Sequence, residues 1–326
     1  MIVPPRSESL VALGWDDGWA DVADAAGRPG AEVARVQRVD MGWVAVLGAD
    51  GPDRAEQGSE RAATGDWVLV ERGVVVAVLP RRSAFVRGDP LDGVARRPQV
   101  VAANADTVLV VQALPGGLNP RRLERELVLA YQSGAEPVVV CSKADAVEPD
   151  ERQAAVAAAA AAAPGVRVVV TSAVTGLGIA ELADLARPHR TLVCVGASGV
   201  GKSTLVNVLV GHEVLETGEV RSGDQRGRHT TTRRELVLLP EGGSCIDTPG
   251  LRAVALWDAD DGLERVFADI MALATGCRFS DCAHGSEPGC AVRAAVEAGT
   301  CDEARVAHLR RLAAEVDERP VRRRGR

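Results

Sequence analysis

Gly196-Ala197-Ser198-Gly199-Val200-Gly201-Lys202-Ser203-Thr204 is the stretch on which the fold turns. It matches G-x-x-x-x-G-K-[ST], the phosphate-binding loop. The apolar run Thr191-Leu192-Val193-Cys194-Val195 before it suits a buried strand, and Leu205 to Val210 after it can continue as a helix. Strand, glycine loop and helix start are the context this motif needs. Backbone N–H groups of the loop and the positive end of the helix would face phosphates. Lys202 would reach the β- and γ-phosphates, and the Ser203 hydroxyl would hold Mg²⁺.

The chain contains two lysines, Lys143 and Lys202; its other side-chain cations, the histidines aside, are arginines. Arginine cannot stand in for lysine as a compact charge inside a tight phosphate loop. A chain that uses arginine elsewhere and lysine at two places directs attention to the second place. It is Ser142-Lys143-Ala144-Asp145, directly after the apolar run Val138 to Cys141. GTPases read guanine with Asn-Lys-x-Asp at a strand end. The Asp carboxylate accepts from the N1 and N2 donors of guanine, and the Lys stem packs over the base. Here Ser142 stands in place of Asn, which bears on base affinity more than on the preference carried by Asp145. Thr171-Ser172-Ala173, one helix later, is like the short loop whose backbone touches the guanine O6.

Asp247-Thr248-Pro249-Gly250 follows another short strand pattern. An Asp there can hold a water on Mg²⁺, and the Gly250 N–H can meet a γ-phosphate. Upstream, Gly227-Arg228-His229-Thr230-Thr231-Thr232 is a polar, glycine-containing segment. One of its threonines would close the Mg²⁺ shell when GTP is bound; Thr231 is the choice, with Thr230 and Thr232 as alternatives. Leu251 occupies the place where many GTPases carry a Gln that orients the attacking water. His229 is the local group able to supply that orientation, beside the plainer reading of a solvated loop histidine. These motifs run base-reading, then phosphate loop, then Asp-x-x-Gly, a circular permutation of the usual GTPase order. Permutation is tolerated because domain termini lie near each other.

Outward from this core, the 326 residues are enough for two or three domains. Residues 1–96 are expected to form one domain, all-β from about residue 8 to 96. Val33 to Asp40, Trp43 to Leu47, Asp66 to Glu71 and Val74 to Leu79 are short Val-rich runs, with Gly48 to Asp53 as a separator. An oligonucleotide-binding barrel is one candidate. Residues 97–256 alternate strands and helices, implying a mostly parallel sheet covered on both faces. A helix is expected over Asn119 to Gln132, with Pro120 in its first turn. The Ala-rich stretch Asp150 to Ala163 reads as a solvent-facing helix. Glu235 to Leu239 and Ser244 to Asp247 form a candidate hairpin. Residues 257–326 read as helical with a basic tail. The net charge of −7 gives no chain-wide signature of nucleic-acid binding. No apolar run nears the roughly 18 residues of a membrane span, and Met1 to Arg6 lacks a signal-peptide core, so a cytoplasmic, membrane-free protein is expected.

Seven cysteines include Cys277, Cys282 and Cys290, which flank His284. Three thiolates and one imidazole in so short a span suit a closed, structural Zn²⁺ site; Cys301 is the alternative ligand. Cys141, Cys194 and Cys245 read as core residues.

A small β domain, a permuted GTPase core and a short zinc-binding helical domain together resemble the ribosome small subunit-dependent GTPase A family. Gly227 to Thr232, Ile246 to Gly250, Cys277 to His284 and Glu287 to Val292 carry the resemblance. It implies an oligonucleotide-binding-type barrel, GTP/GDP with Mg²⁺ as ligands, and rRNA contacts by the β and zinc domains. It also implies GTP hydrolysis stimulated by the small ribosomal subunit, late in that subunit's maturation. The expected protein is a monomer. The alternative is a GTP-dependent module that binds RNA or protein with little turnover of its own. A nucleotide kinase fits poorly, because a guanine-reading motif accompanies the loop.

Overall fold

Strands β1 (Glu32–Val39), β2 (Trp43–Gly48), β3 (Gly51–Glu56), β4 (Trp67–Glu71) and β5 (Val74–Val78) close on themselves in the order β1-β2-β3-β5-β4, with β4 returning to β1. This is the five-stranded topology of an oligonucleotide-binding-type barrel. The computed structural model describes residues 8–87, 99–213, 234–247, 256 and 259–317. A small interior is filled by small residues, among them Ala34, Val36, Val44, Val46, Ala55 and Val68. A bulge between Val36 and Arg38 bends β1. Its first half then pairs with β4, while Arg38 pairs with Glu235 of β12 (Glu235–Leu238). That single register joins the barrel to the next sheet.

Two expectations for this region are corrected. Residues 8 to 96 are not all-β: α1 (Glu8–Ala12) and α2 (Asp17–Ala25) precede the barrel. Asp16 caps α2 by accepting from the Trp19 N–H at 2.9 Å. Trp15 and Trp19 then pack with Trp67 on the outside of the barrel, at ring-centroid distances of 4.8 and 6.2 Å. The Gly48 to Asp53 separator is shorter than expected, because β3 begins at Gly51 and pairs with β2 through Trp43↔Glu56. Its composition hid it: β3 is mostly exposed and polar, with no apolar alternation to read.

The second sheet runs β10 (Arg167–Val170), β9 (Glu136–Ser142), β8 (Thr107–Ala113), β11 (Thr191–Val195), β13 (Ser244–Asp247), β12. It is parallel through β13, and β12 pairs with β13 as the expected antiparallel hairpin. Helices α3 (Pro120–Gln132) and α4 (Pro149–Ala162) contribute buried residues to one face, α5 (Ile179–Asp184) and α6 (Lys202–Val210) to the other. The Asn119 side chain caps α3, accepting from Arg122 N–H at 3.1 Å. α4 is not simply solvent-facing. Ala155, Ala159 and Ala162 are buried, because small side chains on one stripe let the helix approach α3 and β10. A separate hairpin, β6 (Ala84–Arg87) with β7 (Gln99–Ala103), lies between barrel and sheet in sequence.

At the base of the second sheet, Arg35 of β1 is 2% exposed. Its guanidinium donates to the carbonyls of Leu13, Gly65 (3.3 Å) and Asn104 (3.0 Å) and to the Thr191 hydroxyl (2.8 Å). Burial pulls its pKa down to about 10, opposed by Asp106 and Asp66, so it stays charged at neutral pH. Gly65 has φ +91°, and a Cβ there would lie 2.2 Å from the Ala103 carbonyl oxygen, so only glycine lets the barrel come this close. Arg35→Leu should leave several buried acceptors unpaired and destabilise the protein by about 3 kcal/mol. Urea denaturation checks this; a loss below about 1 kcal/mol would mean the clamp contributes little.

The C-terminal helices are α7 (Asp260–Val266), α8 (Ala268–Ala274), α9 (Ala291–Glu297) and α10 (Glu303–Asp317). α10 returns to α3. Glu124, 3% exposed, meets His308 Nδ1 at 2.5 Å and Arg305 at 3.2 Å, and Arg125 forms a bidentate pair with Glu315. Among the described residues no helix is long and apolar enough to cross a membrane.

Candidate nucleotide and metal sites

The carboxyl ends of β9, β10, β11 and β13 bring residues 142–145, residues 171–173, the phosphate loop and Asp247 to one end of the parallel sheet, where such sheets bind ligands. The phosphate loop leaves β11 and enters α6 at Lys202. Gly196 has φ +143°, and a Cβ there would lie 2.5 Å from the Val111 carbonyl oxygen. The loop therefore hugs β8 in a way that only glycine permits. Lys202 Nζ donates to the carbonyls of Gly196 (2.9 Å) and Ala197 (2.7 Å), which places its charge across the loop's own mouth. Val200 is buried, while Ser198, Gly199 and Thr204 are exposed, and Ala197, Gly201 and Ser203 are half-buried.

The base-reading residues come to the same edge. Lys143 takes a left-handed conformation at φ 59°, ψ 41°, and its Cε approaches Gly201. Ala144 N–H donates to the Thr171 carbonyl at 3.0 Å, tying the loop after β9 to the loop after β10. The Ser172 hydroxyl donates to Asp145 Oδ1 at 2.5 Å and accepts from the N–H groups of Val174 and Thr175. Asp145 is thus an exposed carboxylate aimed by a buried serine, with half-buried Ala173 adjoining. A carboxylate so placed can accept two parallel N–H bonds from a planar ring. Asp247 ends β13 and is 6% exposed, on the strand next to the one that feeds the phosphate loop. His229, Thr231, Gly250, the neighbouring Thr230 and Thr232, and Leu251 lie outside the described residues.

Ser142 carries what the sequence left unread. It is 2% exposed, and its hydroxyl lies 2.7 Å from the Val200 carbonyl oxygen. The base-contact reading of its motif gave no sign of a partner 58 residues away.

Cys277, Cys282, His284 and Cys290 converge between α8 and α9, with their ligand atoms within 4.8 Å of one another. Cys277 Sγ to Cys290 Sγ is 3.8 Å, and His284 Nδ1 lies 3.7 and 3.6 Å from those two sulfurs. A tetrahedral Zn²⁺ with Zn–S near 2.3 Å requires S···S edges of about 3.8 Å, so the donor set fits that ion. Cys301 is not in the group. Glu287, which the sequence marked only as part of a motif, accepts from the N–H groups of Ala283 (3.1 Å) and Gly285 (2.7 Å). It clamps the backbone on both sides of His284, which sits at φ 59°. Cys141, Cys194 and Cys245 are fully buried on strands, and burial pushes the Cys141 thiol up to about 11.

The model of the RsgA GTPase family matches residues 78–257. A small ribosomal subunit biogenesis GTPase RsgA from Streptomyces coelicolor is 45% identical over 319 residues, covering 94% of this chain and 86% of that one. The protein of the same name from Xanthomonas campestris pv. campestris strain B100 is 43% identical over 332 residues, covering 96% and 90%. Among solved structures, YjeQ from Thermotoga maritima aligns with TM-score 0.63 and 26% identity over 89% of this chain and 100% of that one. YloQ, a circularly permuted GTPase, aligns with TM-score 0.61 and 23% identity over 90% and 98%, a likeness of fold. With the permuted motif order, the barrel and the Cys/His cluster already in place, the match over more than half its length means that the chain belongs to the RsgA GTPase family.

Proposed function

We propose that this protein hydrolyses GTP to GDP and phosphate in the biogenesis of the small ribosomal subunit, late in maturation, with turnover stimulated by the subunit. One observation carries the reading: Asp145, Lys143, the phosphate loop and Asp247 meet at one edge of one parallel sheet although a permutation separates them in sequence. In this reading Asp145 and Lys143 select guanine, with Ala144, Ser172 and Ala173 shaping the base pocket. Residues 196 to 204 enclose the phosphates. Lys202 neutralises charge that develops on the β- and γ-phosphates, and Ser203 with Thr231 would hold Mg²⁺, which supplies further charge neutralisation. Asp247 would orient a water on that ion, and the Gly250 N–H would meet the γ-phosphate. Cys277, Cys282, His284 and Cys290 would hold one structural Zn²⁺.

The division at about 97 and 257 separates an rRNA-contacting barrel, the GTPase unit and a zinc-bearing unit whose tail to Arg326 is basic. The protein acts as a cytoplasmic monomer on the subunit's rRNA. Leu251 stands at the usual Gln position, so free turnover is slow. The subunit holds His229 beside the attacking water and supplies the missing orientation.

GTPase rate with and without purified small subunits tests the reading. Native protein should be strongly stimulated; no stimulation would favour a binding module with little turnover. His229→Ala should keep GTP affinity and subunit binding but lose roughly a hundredfold of the stimulated rate, with the basal rate little changed. Full stimulation in that variant would make His229 a plain loop residue.

A further inference from the structure

We infer that a cavity between the N-terminal helices, the barrel and the parallel sheet is a second ligand site, built for a neutral, flat heterocycle the size of a purine base. It has a volume of about 200 Å³ and is lined by residues just before β8 and at the start of β11. The phosphate loop leaves the opposite end of β11, so the two sites do not overlap. Two observations set the cavity apart from a packing gap. The chain is 3% aromatic, yet three of its five tryptophans, Trp15, Trp19 and Trp67, line this one space. Five non-glycine residues take positive φ among the described residues. Lys143 is in the base-reading loop, His284 in the Cys/His cluster and Arg72 between β4 and β5. The other two, Asn104 at 56° and His189 at 58°, both line the cavity. Left-handed backbone outside glycine is costly and collects at functional sites.

The charges around the cavity select its ligand. Asp16 and Arg82 satisfy each other through two bonds of 2.6 Å. The Asp106 charge offsets that of buried Arg35, whose guanidinium is spent on carbonyls and the Thr191 hydroxyl. Arg190 reaches Glu136 at 3.5 Å. A charged ligand would therefore bring a desolvated charge with no counterpart. The tryptophans supply apolar walls, which suit a flat ring. An apolar cavity of about 150 Å³ takes benzene, so this one has room for a bicyclic ring of about ten atoms. One polar group is left to orient it. Asp106 Oδ2 accepts from the Thr191 N–H at 2.7 Å, while Oδ1 has no partner among the described residues. The Asn104 amide is spent, accepting from Arg82 N–H and donating to the Gly65 carbonyl. Asp106 Oδ1 would accept an amino or ring N–H of the heterocycle. Adenine carries such a donor and no charge, whether free, in a nucleoside or unpaired in RNA.

The test uses full-length protein saturated with GDP, so that the nucleotide site is filled. Adenine, adenosine and hexa-adenylate are titrated, read by tryptophan fluorescence and calorimetry. Adenine should quench saturably with a Kd on the order of 100 μM. Benzoate and benzamidine, a flat anion and a flat cation, should bind at least tenfold more weakly. Asp106→Asn keeps an acceptor for the Thr191 N–H but turns an N–H₂ toward the ligand. It should weaken adenine at least tenfold and leave GDP affinity unchanged. Should that variant unfold early, hydrogen exchange of the native protein decides: adenine should protect residues 14–19 and 188–191 and not the phosphate loop. Hexa-adenylate binding more than tenfold tighter than adenosine would assign the ring to an RNA strand, and equal affinity to a free base; both results support the site. No quenching up to about 10 mM adenine would overturn it, leaving the tryptophans as packing alone. Tighter binding of benzoate or benzamidine would overturn the neutral class. Quenching indifferent to Asp106→Asn, without protection at residues 188–191, would overturn the location.

Discussion

Asp145→Ala should bind GTP and GDP at least a hundredfold more weakly than the native protein while keeping its fold. The carboxylate is exposed, so its removal uncovers no core, and its one described partner, the Ser172 hydroxyl, keeps the N–H groups of Val174 and Thr175. What is lost is a pair of charge-assisted acceptors for the N1 and N2 donors of guanine, each contributing on the order of 1.5–3 kcal/mol. Adenine offers neither donor, so the native protein should prefer GTP to ATP by a similar factor. Asp145→Asn is the sharper variant. Its amide presents one acceptor and one donor, so guanine affinity should fall while xanthine nucleotides are partly admitted. Calorimetric titration with GDP, XDP and ADP reads all three. Equal native affinity for GTP and ATP would sink the assignment of Asp145.

Removing the metal from the Cys/His cluster should have the other large effect, and it should stay local. A structural zinc site contributes on the order of 10 kcal/mol to the segment it folds. The segment between α8 and α9 is irregular; besides the cluster it is tied by the Arg278 N–H donating to the Gly289 carbonyl at 3.1 Å and by the Glu287 clamp around His284, which sits in a left-handed conformation. Cys290 is both a candidate ligand and the N-cap of α9, accepting from Arg293 N–H at 3.4 Å. Cys290→Ser should therefore abolish stoichiometric zinc and expose α9 to hydrogen exchange. α10 should remain docked, because Glu124, Arg305 and His308 bind it to α3 independently of the metal. GDP affinity should change less than about twofold, since the phosphate loop belongs to a different core cluster. Elemental analysis of protein purified without added zinc, and exchange rates resolved by segment, are the measurements. A metal-free protein with α9 fully protected would exclude the site.

The sequence alone carried the chemistry wherever it is local. The phosphate loop, its strand and its helix are contiguous, Gly196 marks a place where a Cβ would clash, and Gly199 and Gly201 take the positive φ that favours glycine, so nine residues announce the site. The cap and apolar period of α3, the hairpin of β12 and β13, and the spacing of the four candidate zinc ligands were legible for the same reason: each is a relation among residues a few positions apart. Scarcity helped as well. With two lysines in the chain, composition singled out Lys143 and Lys202, and the fold brings their loops together.

Tertiary structure decided what depends on distant partners. α1 and α2 are short, and they are stabilised by Trp15 and Trp19 on Trp67, some fifty residues on. β3 is a strand because β2 and β5 offer it ladders, not because its polar sequence favours one. Arg35 reads as one more arginine on a strand, until burial sets it among carbonyls from three distant segments. Ser142 is the clearest case. As a letter in a motif it is a departure from Asn; as a hydroxyl 2.7 Å from the Val200 carbonyl it is a support for the phosphate loop. A motif records the order of residues along the chain. A hydrogen bond across 58 residues forms only where packing has already brought β9 and the loop within reach, and that is fixed by the fold as a whole.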